Sequence, residues 1–282
     1  MDEDIAIRVT GLRKAYPGTV AVDGVDLEVS RGEVFSLLGP NGAGKTTTVE
    51  ILEGYRKRDG GEVSVLGYDP ADGRKEWKAR IGIVLQRVDD LTDLTVRESV
   101  STIAAFYPNP RPVDEVIEMV GLTEKRNVRG AALSGGLRRR LDVALGIVGR
   151  PDLLFLDEPT TGFDPEARRQ FWGLIEGLAD GGTTILLTTH YLDEAERLAD
   201  RVAVIAAGRI VEVGTPATLG GRATAAATVR WMAADGPRSV QSDTPTSVVG
   251  ELAAQFGGEV PELVVERPSL EDVYLRMIGH SS

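Results

Sequence analysis

The sequence predicts an α/β domain with a largely parallel sheet, and two observations carry that prediction. The first is a strand, a glycine-rich turn and a helix in direct succession: EVFSLLG leads into GPNGAGKTT, Gly39 to Thr47, and TTVEIL follows with helical spacing. The second is the return of continuous apolar runs, LLFLD at 153–157, TILLTT at 184–189 and RVAVIAAG at 201–208, separated by helix-like stretches. Runs of that kind are expected of strands covered on both faces.

Ahead of the glycine-rich turn the chain reads as antiparallel β. Ile5, Ile7 and Val9 alternate, then Val20 and Val22, then Val25, Leu27 and Val29, each run broken by glycine or a charged turn. The helix after the turn is expected to stop at Gly54, with strands following at EVSVLG from Glu62 and at IGIVLQ, ending at Gln86. From Val88 to Arg150 alternation gives way to helical spacing, interrupted by YPNPRP at 107–112, which predicts a mostly helical subdomain. The basic triplet Arg138 to Arg140 within it reads as a solvated helix face.

After about Gly220 the composition shifts toward Ala, Thr, Ser, Gly and Pro, which divides the chain into a domain at 1–220 and a C-terminal module at 221–282. In the module ATVRW and RSVQS are expected to pair as strands. PTSVVGELAAQFG and SLEDVYLRMIG have helical spacing and ELVVE is strand-like, so the module reads as a small α+β unit.

Acidic residues outnumber basic ones 43 to 32, a formal net charge of −11, which argues against nonspecific attraction to nucleic acid or anionic lipid. No apolar run approaches the length of a membrane-spanning helix, and the acidic start MDEDIAIRV is unlike a secretory signal, so the chain is expected in the cytosol. Without cysteine there is no disulfide or thiolate metal site, and two histidines, at 190 and 280, argue against a His-rich zinc site.

The spacing Gly39, four residues, Gly44, Lys45, Thr46 is that of a phosphate-binding loop in its required strand-to-helix context. Glycines let the backbone curl so that successive N–H groups face phosphate oxygens, and the helix beginning near Gly44 adds its positive end. Lys45 is expected to reach the β- and γ-phosphates and the Thr46 hydroxyl to ligate Mg²⁺. Such a loop needs a carboxylate partner for the metal. Asp157, at the end of LLFLD, is the best placed, and Glu158 beside it could polarise a water attacking the γ-phosphate. Between the phosphate loop and the carboxylate strand, LSGGLRRR, Leu133 to Arg140, reads as a second glycine-rich helix start with Ser134 as N-cap.

Taken in order, these motifs resemble the nucleotide-binding domains of ATP-binding cassette (ABC) transporters, over roughly residues 5–220. GPNGAGKTT resembles the family's Walker A loop, which implies ATP contacts along Gly39, Pro40, Asn41, Gly42, Ala43, Gly44, Lys45, Thr46 and Thr47. Gln86 matches the Q-loop, LSGGLRRR the signature motif, LLFLDEP the Walker B strand, TTGFDP the D-loop at Asp164, and LLTTH the switch histidine, His190. KAYPG puts Tyr16 where the family stacks an aromatic ring on adenine, and Val20 joins it among the implied nucleotide contacts. Leu137 departs from the usual glutamine of the signature, and Phe163 from the usual leucine of the D-loop.

The resemblance implies the ABC ATPase fold: a mixed sheet core, an N-terminal antiparallel β subdomain and a helical subdomain. It also implies ATP and Mg²⁺ as cofactors, Thr46, Gln86 and Asp157 toward the metal, and Glu158, His190 and Gln86 in catalysis. Two such chains would sandwich ATP, each loop facing Ser134, Gly135 and Gly136 of the other subunit, and a separate membrane permease would form the pore. The ending PSLEDVYLRMIG resembles ATP-binding subunits of drug-type exporters, including the daunorubicin-resistance group. The alternative is a soluble ABC ATPase working in translation or DNA repair, but those members carry two cassettes or long coiled-coil heptads, and neither feature is present.

Overall fold

The computed structural model describes residues 4–84 and 93–279; Gln86, the start of the helical stretch at 88–92 and His280 lie outside the described residues. The chain falls into two compact units, Met1–Val211 and Glu212–Ser282.

In the first unit β1 (Ile5–Tyr16) and β2 (Thr19–Ser30) form a long antiparallel hairpin. The separate runs expected around Val22 and Leu27 are one strand, because Gly24, at φ 78°, absorbs an extra residue as a register shift. β3 (Val34–Leu38) is buried along its whole length and runs into the glycine-rich loop and α1 (Lys45–Leu52). β4 (Gly60–Val65) returns to the other edge of β1, giving the antiparallel sheet β2-β1-β4.

The chain continues through α2 (Lys75–Lys78) and β5 (Ile81–Val84) into the helical stretch: α3 (Val96–Ala104), α4 (Val113–Met119) and α5 (Gly135–Ile147). Thr95 and Glu98 start α3 with reciprocal side-chain and backbone hydrogen bonds. The sheet resumes with β6 (Leu153–Asp157), α6 (Pro165–Asp180), β7 (Thr184–Thr189), α7 (Leu192–Leu198), β8 (Arg201–Ala206) and β9 (Arg209–Gly214). The order is β5-β6-β7-β3-β8-β9, with neighbouring strands from β5 to β8 parallel. β6 and β7 are buried throughout, as continuous apolar runs require.

One apolar core lies between this sheet and the antiparallel sheet, around Phe35, Leu37, Phe155 and Trp77. The other lies between its opposite face and α3 to α6, around Val34, Leu154, Leu156 and Phe171. α5 sits tightly on β5: a Cβ on Gly82 would overlap the carbonyl of Gly146. The triplet on α5 is not a solvated face. Arg139 is 6% exposed, because α5 is packed against neighbouring elements and its middle arginine points at carbonyl groups inside the unit.

In the second unit β10 (Ala227–Ala233) pairs antiparallel with β11 (Gly236–Ser242) and β12 (Val264–Glu266). α8 (Pro245–Phe256) packs Leu252 into a small core with Val229 of β10 and with Val260. α9 (Leu270–Gly279) begins at Ser269, whose hydroxyl accepts from Asp272 N–H while the Asp272 carboxylate accepts from Ser269 N–H. The strands and helices expected of the module are all present.

Candidate functional site

Sheet order brings the sequence motifs together. β3, β7 and β6 are parallel neighbours, so the loop after β3, His190 after β7 and Asp157 at the end of β6 emerge at one edge, the carboxyl ends of the strands. Gly44 caps α1 at φ 102° with no side-chain cap, which leaves the first amides of the helix without a side-chain acceptor, the arrangement that helix N-termini use to bind anions. A Cβ there would overlap the Ala21 carbonyl of β2, and one on Gly39 would overlap the Ile205 carbonyl of β8. The loop is braced from outside as well. Gly208 N–H in the β8–β9 turn donates to Ala43 O (3.0 Å) and Asp23 N–H of β2 donates to Gly208 O (2.8 Å).

Lys45 is 5% exposed; its ammonium donates to the carbonyls of Gly39 (2.8 Å) and Pro40 (3.2 Å) and lies 3.6 Å from Glu158 Oε1. Burial depresses its pKa, opposed by Glu158 and Asp157. His190 Nδ1 is 3.3 Å from the same Glu158 oxygen, within ion-pair range but not aligned as a hydrogen bond. Thr188 donates its hydroxyl to Asp157 Oδ1 (2.5 Å), and its carbonyl and hydroxyl oxygens both accept from Glu158 N–H (3.2 and 3.0 Å). Burial raises the Asp157 pKa, opposed first by that Thr188 bond. Glu158 stands at φ 42°, a left-handed backbone that a glutamate rarely adopts.

The other sequence-predicted residues form separate groups. Ser134 caps α5, its Oγ accepting from Leu137 N–H at 3.5 Å; an added Cβ on Gly135 would meet nothing within 4 Å, and one on Gly136 would meet Ala167. Asp164 is the N-cap of α6, accepting from Glu166 N–H (2.9 Å) and Ala167 N–H (2.8 Å). Tyr16 ends β1 with the Arg56 guanidinium 5.3 Å from its ring centre, and Val20 on β2 is 58% exposed. Gln86 lies outside the described residues.

The family model described as ABC transporter matches residues 22–161. The daunorubicin resistance ATP-binding protein DrrA3 of Streptomyces coeruleorubidus is 35% identical over 305 residues, covering 98% of this chain and 96% of that protein. The chain belongs to the ABC transporter ATP-binding subunits. The daunorubicin/doxorubicin resistance ATP-binding protein DrrA of Streptomyces peucetius is 46% identical over 219 residues, 76% of this chain and 66% of that protein. Among solved structures, the dimeric post-hydrolysis state of the ATP-binding cassette MJ0796 bound to ADP and Pi superposes with a TM-score of 0.67 at 23% identity, over 74% of this chain and 98% of that one. The fold is that of an ABC ATPase, and the chain is an ATP-binding ATPase subunit.

Within this ABC cassette three polar residues escaped sequence reasoning. Thr188 supports both Asp157 and Glu158; its signal is a threonine two residues before the histidine in TILLTTH. Glu194 on α7, fully buried, accepts from Thr160 (2.9 Å) and Trp172 (3.2 Å). Glu53, 6% exposed, caps the far end of α1 and lines a groove of about 500 Å³ with Ile83, Ile103, Tyr107, Asp142 and Leu145. Burial raises both groove carboxyls, Glu53 to about 8 and Asp142 to about 6. Nothing in the local sequence pattern marks either one.

Proposed function

We propose that the chain is the ATP-hydrolysing subunit of an exporter that moves a drug-like or other small hydrophobic substrate through a separate membrane permease. The observation that carries the catalytic part is the convergence of Lys45, Asp157, Glu158 and His190 at the carboxyl ends of β3, β6 and β7. The names of the Streptomyces relatives support the substrate class.

Gly39 to Thr47 wrap the phosphates with backbone N–H groups, and Lys45 exchanges its carbonyl partners for phosphate oxygens. Tyr16 and Val20 take the adenine. Glu158 accepts the proton of the attacking water, and His190, beside the same carboxylate, steadies the γ-phosphate. Thr46 and Asp157 offer a hydroxyl and a carboxylate, the hard oxygen donors that Mg²⁺ takes, and the Thr188 bond fixes the Asp157 carboxylate for that purpose. Mg²⁺, when bound, neutralises charge developing on the phosphates. Gln86 senses metal and water.

Ser134, Gly135 and Gly136 complete the nucleotide site of a second subunit, and Asp164 stands beside that junction. The groove between β5, α3 and α5 receives a cytosolic segment of the permease, its walls of Ile83, Ile103, Tyr107 and Leu145 suiting an apolar segment. No helix among the described residues is long and apolar enough to cross a membrane, so attachment to the inner face of the membrane runs through the permease. Lys45→Ala is expected to abolish ATP hydrolysis and weaken nucleotide binding, and Glu158→Gln to accumulate an ATP-bound dimer seen by size exclusion. Turnover at the parent rate in either variant refutes the assignment. Co-purification with a polytopic membrane protein tests the permease.

A further inference from the structure

Glu158 holds a left-handed backbone without being glycine, and such a conformation persists only where the surroundings impose it. One restraint is Thr188, whose two oxygens accept the Glu158 N–H. Thr161 donates its N–H to the Glu158 carbonyl (3.3 Å) and its hydroxyl to the carboxylate (3.4 Å), and a further restraint comes from α5. Arg139 Nη2 donates to the carbonyl of Asp157 (2.9 Å) and its Nε to the carbonyl of Pro159 (3.1 Å), the residues on either side of Glu158.

We propose that Arg139 is a positioning residue for hydrolysis: its guanidinium bridges the two carbonyls flanking Glu158 and thereby sets where the Glu158 carboxylate points. The geometry suits arginine in particular. Its planar fork presents two N–H groups in fixed relation, which a flexible ammonium cannot reproduce. Burial penalises the cation, and it is retained beside Asp142, 3.8 Å away, and near Asp157 and Glu194. A guanidinium kept ionised inside a core, on the helix that begins at Ser134, is an expensive way merely to fill space; an apolar side chain would serve packing better.

The inference rests on Glu158 being the general base, and the test separates the two claims. In the full-length chain, Arg139→Leu, Arg139→Gln and Arg139→Lys are compared with Glu158→Gln and with the double variant Arg139→Leu/Glu158→Gln. The measurements are kcat and KM for MgATP, binding of a fluorescent ATP analogue, and thermal melting. Arg139→Leu is expected to lower kcat by roughly 100-fold while KM and analogue binding change by less than about threefold, with Arg139→Lys recovering part of the loss. In the Glu158→Gln background the same change is expected to cost nothing further, because the carboxylate it positions is gone. Parent kcat in a folded Arg139→Leu variant, or an equal further loss in the double variant, overturns the proposal. If Arg139→Leu fails to fold, Arg139→Gln decides, since its shorter amide cannot span both carbonyls: parent kcat overturns the proposal and a loss in kcat alone sustains it. Parent turnover in Glu158→Gln removes the general-base reading, and the proposal with it.

Discussion

Glu53 is a carboxyl buried at the end of α1, and its neutral form is the one the fold favours. Burial is the first cause and the nearby Asp157 and Glu50 carboxylates add to it, lifting the pKa from an ordinary 4.5 to about 8. Below about pH 4.5 the group is protonated in folded and unfolded chains alike. Between there and about pH 8 the unfolded chain ionises first and binds fewer protons, so stability falls as pH rises, and above pH 8 the full penalty is present. Glu53→Gln, which removes the titration, is therefore expected to raise Tm more at pH 9 than at pH 5, by an amount worth up to a few kcal/mol at about 1.4 kcal/mol per unit. Thermal melts of parent and variant at both pH values check it; an equal shift at both refutes it. Sequence could not reveal this carboxyl. Lys45, Asp157 and His190 stand at the end of an apolar strand or after a glycine-rich turn, where the sequence pattern marks them, whereas Glu53 at the end of α1 and Arg139 within α5 lie in stretches whose spacing looks the same whether they face water or the core.

Elements here are positioned by close backbone approach as much as by side chains. β5 and α5 meet at Gly82 and Gly146, where a side chain on either strikes backbone or the packed residues Leu154 and Val84. Gly82→Ala is expected to destabilise the chain by about 1–3 kcal/mol, because a backbone carbonyl cannot swing aside as a side chain can. Urea unfolding measures it, and a midpoint equal to that of the parent refutes the close packing. The strands and helices themselves were largely readable, since periodicity reports burial. Continuity through Gly24 was not, because a glycine inside a strand pattern reads equally as a break or a bulge.

At the scale of the whole molecule, the residues assigned to the nucleotide all belong to the unit Met1–Val211, while Glu212–Ser282 has its own small core around Val229, Leu252 and Val260. A chain ending at Gly214, which keeps β9, is expected to fold and bind ATP with affinity within about threefold of the parent, because its site loses no contacting group. Fluorescent-nucleotide titration of the truncated chain checks this; a folded truncation that binds no ATP refutes it. The compositional shift near Gly220 marks an expected boundary in the sequence, whereas the point where one set of contacts gives way to another, Val211 to Glu212, depends on three-dimensional pairing.

The bracing of the phosphate loop sets a dimension. Ala21, Asp23 and Gly208 hold the loop against β2, and β2 is hairpinned to the strand that ends at Tyr16. In the proposed nucleotide site the aromatic face and the lysine are thus carried on one continuously hydrogen-bonded scaffold. Tyr16 offers a ring face and Val20 an apolar surface, and neither reads the hydrogen-bonding edge of a base. The proposed nucleotide site would therefore gauge a ligand by the span from its base to its terminal phosphate and only weakly by which purine it carries.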